Sequence, residues 1–95
     1  MAKLEIVKKE SNSPDYTFHC LGCGYSHGVW TTRLEGETHP LWGFNGNLDK
    51  PTFTPSLLVR GVFVCHSFIK DGKIQYLNDC THNLAGQTIE MEEID

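Results

Sequence analysis

No stretch of the 95-residue chain approaches the roughly 18 consecutive apolar residues of a membrane-spanning helix, so none is expected. Residues 1–13 lack the apolar run of a signal peptide. Together these absences lead us to expect a protein of the reducing cytoplasm, in a host cell. The chain also lacks a basic stripe. Its net charge is −4, and Lys3, Lys8 and Lys9 make the only local positive cluster, which leaves no footprint for nucleic acid. The acidic carboxyl end, with Glu90, Glu92, Glu93 and Asp95, reads as a solvated terminus. Helical periodicity is almost missing. There is no Walker loop, no GxSxG and no GxGxxG, which excludes the commonest phosphate, acyl-transfer and dinucleotide signatures. No HExxH is present, and no histidine has a Glu two residues on, as a nucleobase deaminase requires.

What is present is strand pattern. Leu4 to Val7, Tyr16 to His19, Gly28 to Thr32 and Leu41 to Phe44 read as short strands, with Asn45-Gly46 as a turn. Thr52 to Thr54 and Ser56 to Arg60 flank Pro55, and Gln87 to Met91 alternates like an edge strand. The clearest signal is Asp71-Gly72 between two apolar runs, a hairpin. The sum is a mostly β, antiparallel, zinc-ribbon-like single domain over residues 1–95, with little helix. A core drawn from 39% hydrophobic residues in a chain this short needs a staple.

Four cysteines supply the candidate. Cys20-Leu21-Gly22-Cys23-Gly24 is a CxxCG knuckle, a turn that sets two thiolates on one ion. Cys65 and Cys80 come later and singly. A two-residue loop at Asp71-Gly72 pairs Lys70 with Lys73, Ile69 with Ile74 and Ser67 with Tyr76. Cys65 and Cys80 then fall on one face, with His66 on the other, diagonal to Asp79. A three-residue loop slips the register by one and sets His66 beside Cys80 instead. The ligand set is therefore Cys20, Cys23, Cys65 and Cys80, or three cysteines and one of His66 and His82. The other readings of the cysteines are a redox pair or inert core residues. A thioredoxin-type site should open a helix, and the residues after Cys23 are a poor helix start. A metal would also occupy both knuckle cysteines and leave neither as a nucleophile.

Five histidines are many for this length. His27 lies four residues after Cys23 and is a ligand or a hydrogen-bond donor to a thiolate. His66 and His82 stand beside or near Cys65 and Cys80 and have the same two options. With Asp79 they could instead form the catalytic cluster of a small zinc-dependent hydrolase. Most aromatic residues are core. Trp42 and Phe44, in a glycine-flexed segment, are the candidates for a partner-binding anchor.

In order, these motifs are CxxCGxxH (Cys20, Cys23, Gly24, His27), WxxNG (Trp42 to Gly46), PTFTPSLL (Pro51 to Leu58), CHSFIKDGKIQ (Cys65 to Gln75) and DCTHNLAGQT (Asp79 to Thr88). The set resembles a family of small proteins common in tailed phages and prophages, some labelled ammonia monooxygenase. The resemblance spans about residues 16 to 90. It implies a zinc-binding protein whose bacterial relatives lie near ubiquitin-like conjugation genes, and it brings no activity. The monooxygenase label carries no weight, since the chain has neither membrane spans nor copper ligands. The resulting expectation is a Zn2+-stapled phage accessory module without catalytic residues. It would bind a host or phage protein and modulate a host enzyme or a defence system.

Overall fold

The computed structural model describes residues 2–10 and 12–93. Eight strands and no helix are present among them: β1 (Glu5–Ile6), β2 (Tyr16–Cys20), β3 (Tyr25–Val29), β4 (Gly43–Phe44), β5 (Phe53–Arg60), β6 (Val64–Lys70), β7 (Lys73–Tyr76) and β8 (Thr88–Glu90). All pairings are antiparallel. They form a three-stranded sheet in the order β1-β2-β3 and a five-stranded sheet in the order β4-β5-β6-β7-β8. None of the described residues forms a helix long and apolar enough to cross a membrane.

The Asp71-Gly72 turn has both residues at positive φ, 51° and 78°, as a type I′ turn requires. The register follows from it: Lys70 faces Lys73, Ile69 faces Ile74 and Ser67 faces Tyr76. Alternation then buries Cys65, Ser67 and Ile69 and turns His66, Phe68 and Lys70 outward.

Most strands differ from the sequence pattern by a residue or two at their ends, and two differences bear on the site. β3 begins at Tyr25 rather than Gly28, because Gly24 (φ 82°) reverses the chain at once and Cys20 pairs directly with Tyr25. β5 runs unbroken from Phe53 to Arg60 through Pro55, whose preceding peptide is cis. Pro has no N–H to give a ladder, and the β5–β6 register shifts between Phe53 and Leu57.

The core lies between the sheets. Leu4, Phe18 and Val29 come from the smaller one, and Phe53, Leu57, Ile69, Ile74 and Tyr76 from the larger. Tyr16 and Phe44 pack ring against ring at 4.8 Å, and Phe44 stacks on Phe53 at 4.8 Å. All four cysteines are buried in the same core cluster, Cys20 and Cys65 most deeply. One sheet therefore presents two chemistries, thiols inward and polar side chains outward.

Candidate functional site

The inner site begins at the knuckle. Gly24 N donates to Cys20 O at 2.8 Å, which closes the turn between β2 and β3. Cys20 Sγ then faces Cys65 Sγ of β6 at 3.8 Å. Two sulfurs on one tetrahedral ion with bonds of about 2.3 Å lie about 3.8 Å apart. The ligand atoms of Cys20, Cys23, His27 and Cys65 all lie within 4.8 Å of one another, and all four residues are buried. His27 enters from β3, two residues past Tyr25, on the inward face.

His27 Nε2 has no hydrogen-bond partner among the described residues. A buried polar nitrogen left alone costs free energy, and the ring that carries it offers one nitrogen to the cluster of three sulfurs. The donor set fits, so the cluster could hold a metal ion.

The thiols are already polarised. Cys20 is held far below the ordinary thiol range, chiefly by its contact with Cys65; burial opposes this, and its neighbours His27, Tyr76 and the Cys23 N–H act in the same sense as Cys65. Cys65 is pushed up by the same contact and by burial. Burial and its contact with Cys20 likewise raise Tyr76, whose hydroxyl lies 3.1 Å from Cys20 Sγ.

Cys65 belongs also to a second group with Cys80 and His82. His82 is buried, and its Nε2 too has no hydrogen-bond partner among the described residues. The ring stands edge-on to Tyr76 at 4.7 Å between centroids. It also fills the space above Gly22, where an added Cβ would come within 2.4 to 2.6 Å of ring atoms. The knuckle glycine is thus a packing requirement as well as a turn residue. Cys80 is not among the four residues that converge around Cys20. Its Sγ instead accepts from His66 N at 3.2 Å and donates to His66 O at 3.1 Å.

The outer face carries a different arrangement. Ser56 Oγ lies 3.0 Å from His66 Nε2, and His66 Nδ1 lies 3.0 Å from Asp79 Oδ2. Asp79 can only accept when ionised, which puts the proton on Nδ1 and leaves Nε2 to take the serine proton. Both ring nitrogens of His66 are engaged. His66 and Asp79 therefore stand apart from His82, across the sheet.

Strand geometry builds this relay. Ser56 and His66 lie on neighbouring strands, with Leu58 directly opposite His66. Asp79 follows β7 and returns over β6 through bonds from Leu77 N to His66 O and from Thr81 N to Val64 O. Trp42 and Phe44 are half-buried against the core. Trp42 Nε1 donates to Ser56 O at 3.2 Å, which fixes the backbone of the serine. Ser56 is not among the residues singled out from the sequence: it lies within the PTFTPSLL stretch, but no GxSxG elbow marks its hydroxyl as a nucleophile.

Fold and site define a small all-β domain with a thiol–imidazole pocket inside and a serine–histidine–carboxylate relay outside. The chain belongs to the BubE family, described as the bacterial ubiquitination-like system serine protease, whose family model matches residues 2–77. The matched span holds Ser56 and His66 and ends before Asp79. No curated protein and no solved structure matches the chain.

Proposed function

We propose that the chain is a serine peptidase that cleaves an amide linkage of a protein within a bacterial ubiquitination-like system. The observation that carries this reading is the Ser56–His66–Asp79 chain of hydrogen bonds, 3.0 Å at each link. The family description supports it independently.

Ser56 Oγ attacks the carbonyl carbon as its proton passes to His66 Nε2. The C–N bond then breaks, and His66 returns the proton to the departing amine. The product is an ester on Ser56. Water, deprotonated by His66, hydrolyses that ester and restores the hydroxyl. Asp79 holds the Nδ1–H and stabilises the imidazolium that forms in each half-reaction. Trp42 keeps Ser56 in place through its carbonyl.

Cys20, Cys23, Cys65 and His27 would hold zinc, the metal that suits three thiolates and one imidazole in tetrahedral array. Zinc so bound supplies folding energy and has no open position for substrate. Reduced thiols of this kind suit the bacterial cytoplasm. The expected role of protein capture is contained in this reading, since a peptidase of a conjugation system binds a protein substrate.

A fluorophosphonate probe tests the proposal. The wild-type protein should gain one phosphonyl adduct on Ser56 by intact-mass and peptide mapping. The Ser56→Ala and His66→Ala proteins should gain none. An adduct that persists in Ser56→Ala overturns the reading.

A further inference from the structure

The outer face of the five-stranded sheet carries side chains beside the relay that the proton transfers do not use. Leu58 is the direct cross-strand partner of His66, and it is 47% exposed. Phe68, two residues beyond His66 on β6, is 42% exposed. Side chains two apart share a face, so Ser56, Leu58, His66 and Phe68 all open to the same side. An isobutyl group and a phenyl ring thus flank the hydroxyl and imidazole.

Farther along the same row, Lys70 faces Lys73 across the hairpin. Like charges directly opposite are destabilising unless an anion joins them. A cavity of about 180 Å³ opens there, lined by Lys70, Asp71, Lys73, Gln75 and Thr88. Glu90 lies across from Lys73 but is taken by Lys3 at 3.3 Å. Among the described residues, neither Lys70 nor Lys73 has a carboxylate partner. Lys70 is four residues from His66 on one strand, a distance of about 13 Å, which an extended peptide also covers in about four residues.

We infer that this face is the substrate-binding surface. It takes an extended acidic peptide segment, with a bulky apolar residue next to the bond that Ser56 attacks and a carboxylate about four residues away. The apolar residue lies between Leu58 and Phe68, and the carboxylate joins Lys70 and Lys73. This inference rests on the peptidase reading for the position of the cleaved bond, and on the face itself for the binding.

The test uses the Ser56→Ala protein and fluorescein-labelled peptides. One set carries Phe or Leu with Glu pairs four residues to either side. Its counterpart carries Lys in place of Glu. Fluorescence anisotropy should show at least about tenfold tighter binding of one acidic peptide, with the preference fading as salt is raised. Adding Lys70→Glu and Lys73→Glu should reverse the preference, while the melting temperature shows that the fold is kept. Phe68→Ser should weaken binding without changing the acidic preference. Equal binding of acidic and basic peptides, or no binding of either, overturns the inference. Fluorophosphonate labelling of the wild type separates the two readings. Labelling without an acidic preference removes the surface alone, and an acidic preference without labelling removes the peptidase and leaves a peptide dock.

Discussion

Cys80 Sγ clasps the backbone of His66, accepting from its N–H at 3.2 Å and donating to its carbonyl at 3.1 Å. Both contacts run to the backbone of the residue next to Cys65, with which Cys80 and His82 form the second cluster. The loop holding Asp79 is thereby fastened to the strand holding His66.

Replacing Cys80 with Ala removes both bonds, at a cost of about 1 to 3 kcal/mol in stability. The variant should keep its full metal content and label more slowly at Ser56. Cys65→Ala should instead lose the metal. Elemental analysis alongside labelling rates distinguishes the two, and equal metal loss in both would mean that Cys80 is a ligand.

Metal removal should act on both faces of the sheet. Cys65 and His66 are adjacent on β6, so loosening the first displaces the second. Chelation is expected to lower the melting temperature by about 10 °C or more, since binding energy here is folding energy. Labelling of Ser56 should fall in step and return when zinc is restored. An unchanged melting curve in the metal-free protein would contradict the role of the inner cluster.

Asp79 orients His66 from an exposed position, its side chain 60% accessible. Asp79→Asn keeps the shape but offers an amide where a carboxylate accepted the Nδ1 proton. The turnover rate should fall by about 10³ to 10⁴, as loss of the right imidazole tautomer does elsewhere. The Michaelis constant should change little. Steady-state kinetics on any cleavable substrate decide this, and a change confined to the Michaelis constant would assign Asp79 to binding.

Acid sensitivity has a source remote from both sites. Glu37 accepts from Asn12 N and from Leu34 N, which pull its pKa down to about 2 from an ordinary 4.5; burial opposes them, and His39 assists. A carboxyl lowered on folding stabilises the protein above its unfolded pKa and loses that contribution as pH falls through the folded one. The melting-temperature gap between wild type and Glu37→Gln should therefore be full above about pH 5 and close toward pH 2. Asp15 adds in the same sense. Burial pushes its carboxyl up, but bonds from Thr31 N, Thr32 Oγ1 and Thr32 N, with Lys9 nearby, together bring it below its usual value. A gap that widens on acidification would reverse the sign.

The larger sheet is readable from a few residues. Asp71-Gly72 allows two registers, and the one that matches Ile69 with Ile74 is observed; alternation from there sends Cys65 inward and His66 outward toward Asp79. The knuckle is equally plain, because CxxCG has one common geometry. The fourth converging side chain is only half readable: its spacing from Cys23 makes His27 a ligand or a thiolate donor without deciding between them. His27 enters only because Gly24 turns the chain so soon that β3 begins at Tyr25, and a longer loop would carry the ring elsewhere. Ser56 is hidden for a different reason. Pro55 interrupts the strand pattern, no glycine elbow marks the hydroxyl, and its partners lie ten and 23 residues on. Only the β5–β6 register shows that the serine reaches His66. Trp42 stands out from its neighbours, but its hydrogen bond to Ser56 O depends on how β4 and β5 meet.

The strict alternation of β6 also restricts how this sequence can drift. Deleting one residue between Val64 and Lys70 would turn a thiol toward the serine and an imidazole toward the interior. Both sites would be lost in one step, since each needs the opposite parity. Length is therefore as tightly constrained there as residue identity. Lineages descending from such a chain should accumulate insertions in the 31–42 segment, which lies outside the strands, and hold the count fixed from Ser56 to Cys80.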